Sequence, residues 1–227
     1  MKNRLFRTLN RLLISFCIII STLAVSACGE NKYNNCNEVT ISGKTLKFGM
    51  TEAEITALLG EPNGGREEGA DGIKLTYEGL SFLGYEVGTL SLYIQNDKTD
   101  SDPKSVKNRG LYYINIDMPG AVEIALMQRL EKEYGKFVRD DTNLLKGAPQ
   151  GDHGFFVYTY VFDKSALSTL KKADADKLKT LYESLNSDSL TDDPHLTEWR
   201  VFGVSDNLGV SLMIDGNLAA IYNRCVK

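Results

Sequence analysis

Apolar and polar positions recur along this chain with different periods, and each period predicts a different element. Residues 12–25 are apolar except at Ser15, Ser21 and Thr22, whereas 29–38 are rich in Asn, poor in apolar residues and read as a short tether. From Val39 the pattern becomes that of a folded domain. Val39, Ile41, Leu46 and Phe48 flank the turn Ser42-Gly43-Lys44, as in a short strand or hairpin. The next segment carries both ends of a helix: Thr51 and Glu54 have capping-box spacing, Met50 can staple onto Ile55, and Gly60 with Pro62 stops it. Ile55, Leu58 and Leu59 share one face of that helix.

Residues 63–72 read as a loop from their glycine and charge, and 73–77, 80–87 and 90–94 as successive strands. A polar loop over 96–108 leads to a further strand at 111–116. The second half repeats the plan. Pro119 opens a longer helix in which Val122, Leu126, Leu130 and Tyr134 fall four residues apart, and Gly135 ends it. Residues 155–162 and 198–204 read as strands, Leu208-Gly209-Val210-Ser211-Leu212-Met213-Ile214 echoes Val87-Gly88-Thr89-Leu90-Ser91-Leu92-Tyr93-Ile94, and 218–222 parallels 111–116. Over 165–186, Leu167, Leu170, Leu178, Leu181 and Leu185 trace one stripe of a charged helix, followed by a solvated loop over 187–194. The expected architecture is α+β: two tandem modules, 39–117 and 118–227, each a helix with an antiparallel sheet, the second carrying an inserted helix.

Charge changes the reading of the first stretch. Lys2, Arg4, Arg7 and Arg11 precede the apolar run with no acid among them, which is the outline of a signal peptide over 1–27. The run is shorter than the about 20 residues that span hydrocarbon. Val25-Ser26-Ala27-Cys28-Gly29 resembles the bacterial lipobox, which implies cleavage before Cys28, acylation of its sulfur and a tether over 28–38. Acyl chains contribute about 0.8 kcal/mol per buried CH₂, so two or more hold a protein stably at a bilayer. The expected address is therefore the cell envelope, on the extracytoplasmic face of a membrane, with Gram-negative and Gram-positive envelopes both open. Without 1–27, Lys+Arg falls from 26 to 22 against 30 Asp+Glu, and the formal charge moves from -4 to -8. Such an acidic domain offers nucleic acid no electrostatic support. Cys36 and Cys225 remain near the two ends of the mature chain, and two readings stay open: a disulfide in an oxidising compartment, or two separate thiols.

The run Phe48-Gly49-Met50-Thr51-Glu52-Ala53-Glu54-Ile55 with Leu59-Gly60-Glu61-Pro62 resembles the helix signature of the SmpA/BamE-like small lipoproteins and of the β-lactamase inhibitory protein. In those families helices pack on an antiparallel sheet, and the inhibitory protein has two such modules in tandem. The resemblance covers about fifteen residues besides the anchor. It implies binding without catalysis, either as scaffolding in an envelope assembly or by clasping a protein across the sheet. This chain departs from the BamE pattern in its length, its apparent duplication and its extra helix.

Motifs for chemistry are sparse. His153 and His195 sit in polar loop sequence with neither H-E-x-x-H nor a Cys/His cluster, and no Gly-x-Ser-x-Gly elbow, phosphate loop or dinucleotide fingerprint occurs. Asp97, Asp100 and Asp102 lack the glycine and closing glutamate of an EF-hand loop. No metal and no cofactor are expected. Over 155–162, alternation puts Phe156, Tyr158, Tyr160 and Phe162 on one side of a strand, either as a protein-binding face or as core filling under a helix; Tyr85, Tyr93, Tyr112 and Tyr113 raise the same question, and Trp199 is expected in the core. The leading expectation is a lipid-anchored, non-catalytic protein-binding module. The alternatives are an envelope-polymer hydrolase with an acid pair drawn from residues such as Asp152, Asp163 and Glu198, or a structural envelope protein with no discrete site.

Overall fold

The computed structural model describes residues 37–69, 72–140, 155–162, 165–185, 194–204 and 209–227. The capping box forms as its spacing requires. Glu54 N–H donates to Thr51 Oγ1 at 3.2 Å and Thr51 N–H donates to Glu54 Oε2 at 2.7 Å, starting helix α1 over Glu52–Leu59. Ile55 is its fully buried residue. Before it, β1 (Glu38–Ile41) and β2 (Lys44–Lys47) pair around Ser42-Gly43, both at positive φ (50° and 73°), the conformation of a tight hairpin turn.

After α1 come β3 (Gly65–Gly69), β4 (Gly72–Tyr77), a small hairpin of β5 (Leu80–Phe82) and β6 (Tyr85–Val87), then β7 (Thr89–Gln95) and β8 (Gly110–Met118). The stretch expected as one strand over 80–87 is this hairpin, because Leu83 and Gly84 both take positive φ and reverse the chain. β3 falls where a loop was expected. All five of its residues are exposed, so it has no apolar alternation, and its pairing with β4 defines it.

The second half gives α2 (Glu123–Tyr134), β9 (Phe137–Asp140), β10 (Phe155–Phe162), α3 (Lys172–Leu185), β11 (Glu198–Val204), β12 (Val210–Asp215) and α4 (Asn217–Ile221), which runs into one π-helical turn, Tyr222–Val226. Two expectations are corrected here. Val122 is not on the buried stripe of α2: it is the N-cap and 47% exposed, while Ala121, Leu126 and Leu130 are buried. Residues 218–222 are helical, not a strand. Leu218, Ala219, Ala220 and Ile221 are all buried, and a short helix apolar on every side has no 3.6-residue period to betray it.

Eight strands form one antiparallel sheet in the order β3-β4-β7-β8-β12-β11-β10-β9, so the two halves meet where β8 pairs with β12. The chain is mixed α+β, as expected, with four α-helices among the described residues and this sheet at its centre. The two echoing segments are β7 and β12, which flank β8 on either side. Leu75, Leu90, Leu92, Ile114, Ile116, Leu212 and Ile214 on one sheet face, Ile55 of α1, Leu126 and Leu130 of α2, Leu178 of α3 and Leu218 of α4 belong to one buried cluster. All four helices therefore serve the same face. Trp199 is fully buried, its ring 4.7 Å from that of Tyr134 and 5.5 Å from that of Phe162.

Candidate functional site

Residues 1–27, Cys28 and Cys36 lie outside the described residues, so the leader, the acylation site and one of the two expected disulfide cysteines do too. Cys225 is buried in the final π turn rather than in a last strand, and burial pushes its thiol pKa up. His153, Asp152 and Asp163 are also outside, while His195 forms an isolated backbone bridge with Ala166. Among the described residues no group of His, Cys, Asp or Glu could hold a metal ion, and no helix is long and apolar enough to cross a membrane.

Of the two readings open for the aromatic side of β10, core filling is what the structure shows at the two positions whose side chains are described. Tyr160 is 1% and Phe162 2% exposed. Phe137 of β9 lies edge-on to both, with ring centroids 4.6 and 5.8 Å away, and Tyr160 Oη donates to Met127 Sδ at 2.8 Å. Both rings belong to the buried cluster with Trp199, the cross-strand neighbour of Tyr160, and so lie on the helix-bearing face. The side chains of Phe156 and Tyr158 are outside the described residues.

The face that carries polar and aromatic groups is the other one. Strand alternation sends one side chain in two away from the helices, and the register lines these up into three rows. Lys74, Tyr93, Tyr113, Asp215 and Glu198 are neighbours across β4, β7, β8, β12 and β11. Thr76, Ser91, Asn115, Met213 and Arg200 form the next row, and Thr89, Asp117, Ser211 and Phe202 the third. The residues of these rows on β8, β12 and β11 are all half-buried, as on a sheet face open to a partner.

Geometry fixes several of these groups. Tyr93 and Tyr113 make a T-shaped pair with centroids 5.4 Å apart. Burial, and then the Asp215 carboxylate, pushes the Tyr113 phenol up to about 12. Ser211 Oγ lies 2.6 Å from Asp117 Oδ1 and 2.9 Å from Asn115 Oδ1; it has one proton, which goes to the carboxylate as the stronger acceptor. Asp215 Oδ1 accepts from Asn217 N–H at 2.9 Å. Arg200 is engaged by Glu198. Among the described residues neither Asp117 nor Asp215 is in a salt bridge within 4.0 Å, although the Asp215 carboxylate acts electrostatically on the Arg109 guanidinium.

At one end of the third row the sheet opens into a cleft of about 410 Å³. Gly88, Thr89, Asp117, Pro119, Phe202 and Ser211 are among its walls. The echo seen in the sequence acquires a physical meaning here. Gly88 and Gly209, its two shared glycines, both run against Pro119: an added Cβ would come to 3.2 Å from Pro119 Cδ at Gly88 and to 2.7 Å from Pro119 Cα at Gly209. Sequence reasoning raised Tyr93 and Tyr113 but missed Asp117, Asn115, Ser211 and Met213. Their signal was alternation within strands, and only the inter-strand register makes them neighbours. Comparison of this chain with models of protein families, with curated proteins and with solved structures returns no match.

Proposed function

We propose that this chain is a lipid-anchored, extracytoplasmic, non-catalytic protein-binding module that takes a cationic partner protein on the open face of its eight-stranded sheet. The observation that carries the reading is the composition of that face. Its central strands present a T-shaped tyrosine pair, Met213 and Phe202 beside two carboxylates, Asp117 and Asp215, that form no salt bridge among the described residues. Large, stiff, half-polar side chains suit interfaces. Unpaired carboxylates on a face of an acidic domain complement a basic surface and would steer its approach. Cys28 supplies the attachment, and the resemblance of 48–62 to the SmpA/BamE-like lipoproteins and the β-lactamase inhibitory protein supports the same class of function.

The tandem organisation belongs to this proposal. In each half a helix precedes four strands of the sheet, something is inserted between the second and third of them (the β5–β6 hairpin in one, α3 in the other), and the last strands, β8 and β12, meet at the centre. That order supports modules at 39–117 and 118–227. Five strands about 4.8 Å apart and three rows about 6.8 Å apart cover roughly 500 Å², whereas a standard interface takes about 800 Å² from each partner. The partner therefore reaches past the rows to the rim of the sheet.

The test is site-specific photocrosslinking of the acylated protein in its own membranes, with the photoreactive residue at Met213 on the open face or at Lys179 on exposed α3. One defined protein adduct from Met213 and none from Lys179 is expected. Identical products from both positions, or none from Met213, would refute the reading.

A further inference from the structure

We propose that the cleft beside Asp117 receives a lysine or arginine side chain of the partner protein; this rests on the reading of the open face as the binding surface and names the chemistry of its anchor. The cleft, about 410 Å³, is within the range of sites that enclose a small ligand group. Among the described residues its one charged wall residue is Asp117. Ser211 holds Oδ1 at 2.6 Å, while Oδ2 has only a 3.5 Å approach from the Asn115 amide, the outer limit of a hydrogen bond. An ionised carboxylate only accepts hydrogen bonds, so the group that completes it is a donor, and a cationic one gains most.

The remaining walls suit the stem of such a side chain. Pro119 and the half-buried Phe202 offer apolar surface to methylenes, and the Phe202 ring can also stack on a guanidinium. The backbone shapes the opening. Gly209 sits at φ 108° against Pro119, and at Gly88 an added Cβ would already crowd Pro119, so at both positions bare backbone lines the space. The two echoing segments thus converge on one cleft from either side of β8.

The probes are capped single residues, N-acetyl-arginine methylamide, N-acetyl-lysine methylamide and the uncharged N-acetyl-norleucine methylamide, titrated into the isotopically labelled chain and followed by NMR. Saturable shifts confined to Asp117, Phe202, Gly209 and Ser211 are expected with the two cationic probes and not with norleucine. A hydrogen bond to a charged group contributes about 1.5–3 kcal/mol, so Asp117→Asn, close in size and shape, should weaken the cationic probes about tenfold or more while leaving the remaining spectrum in place. Equal response to norleucine, no response to any capped residue, or an unchanged affinity in Asp117→Asn overturns the proposal. So does saturable binding of free hexylamine without binding of the capped residues, which would make the cleft a site for a free amine. A specific Met213 adduct together with silent titrations would sink this inference alone and leave the open-face reading standing.

Discussion

Thr51 and Glu54 show how much two side chains can decide. Each satisfies a backbone N–H that the start of α1 leaves free, and the Thr51 backbone N–H, more than its hydroxyl, holds the Glu54 carboxyl below the usual range. Thr51→Ala should cost about 1 kcal/mol, read as a lower denaturant midpoint at unchanged slope. A depressed carboxyl contributes stability that is present above its unfolded pKa and lost as pH falls through its folded one. Glu54→Gln should accordingly flatten the acid limb of a stability profile and leave the neutral region lower throughout. Tyr113 has the opposite sign. Its phenol is raised from 10 to about 12, so its contribution is full below pH 10 and is lost as pH rises toward 12. Tyr113→Phe should remove one late-titrating phenol from an alkaline absorbance titration; if the count of late phenols is unchanged, the shifted group lies elsewhere.

Elements are held by contacts that no single period in the sequence announces. Arg129 of α2 donates to the Leu83 carbonyl and lies 4.3 Å from the centroid of the Tyr85 ring, so a helix of the second half clamps the β5–β6 turn of the first. The pairing of β8 with β12 is the larger seam, and Gly209 lies at its edge with backbone of Pro119 where a side chain would go. Gly209→Ala forces a Cβ into that backbone at a positive φ, and a melting temperature several degrees lower is the expected outcome by calorimetry. Trp199 carries the aromatic end of the core between Tyr134 and Phe162, and Trp199→Ala should cost about 3–5 kcal/mol in chemical unfolding. A loss below 1 kcal/mol would mean that this cluster is not packed as described.

For the whole molecule, the proposed function divides the work between one covalent group and one sheet face. In the proposed function acylation at Cys28 sets location, so Cys28→Ser should lose incorporation of labelled acyl chains and keep residues 1–27 attached, measured by metabolic labelling with intact mass. A Cys28→Ser product that still incorporates labelled acyl chains, or is still cut before residue 28, would contradict the proposed anchor. Binding at the open face should weaken with salt, because half-buried carboxylates attract a basic partner through a field that about 0.15 M salt screens within 8 Å.

Local physics was legible in the residues. The capping box, the stop at Gly60, the central strands β4, β7, β8, β10, β11 and β12, and the burial of Trp199 follow from hydrogen-bonding geometry and alternation over a few positions, which act wherever those residues stand. The α+β class follows from the same signals. What tertiary structure decided is what depends on partners distant in sequence. β3 has no apolar face and exists through its pairing with β4; residues 218–221, apolar all round, become a helix because the core encloses them; Tyr160 and Phe162 are core because the helices occupy their side of the sheet. The candidate site is of the same kind. Asp117 and Ser211 are 94 residues apart and meet only because β8 pairs with β12. A one-residue slip in that register would turn every one of these groups to the opposite face.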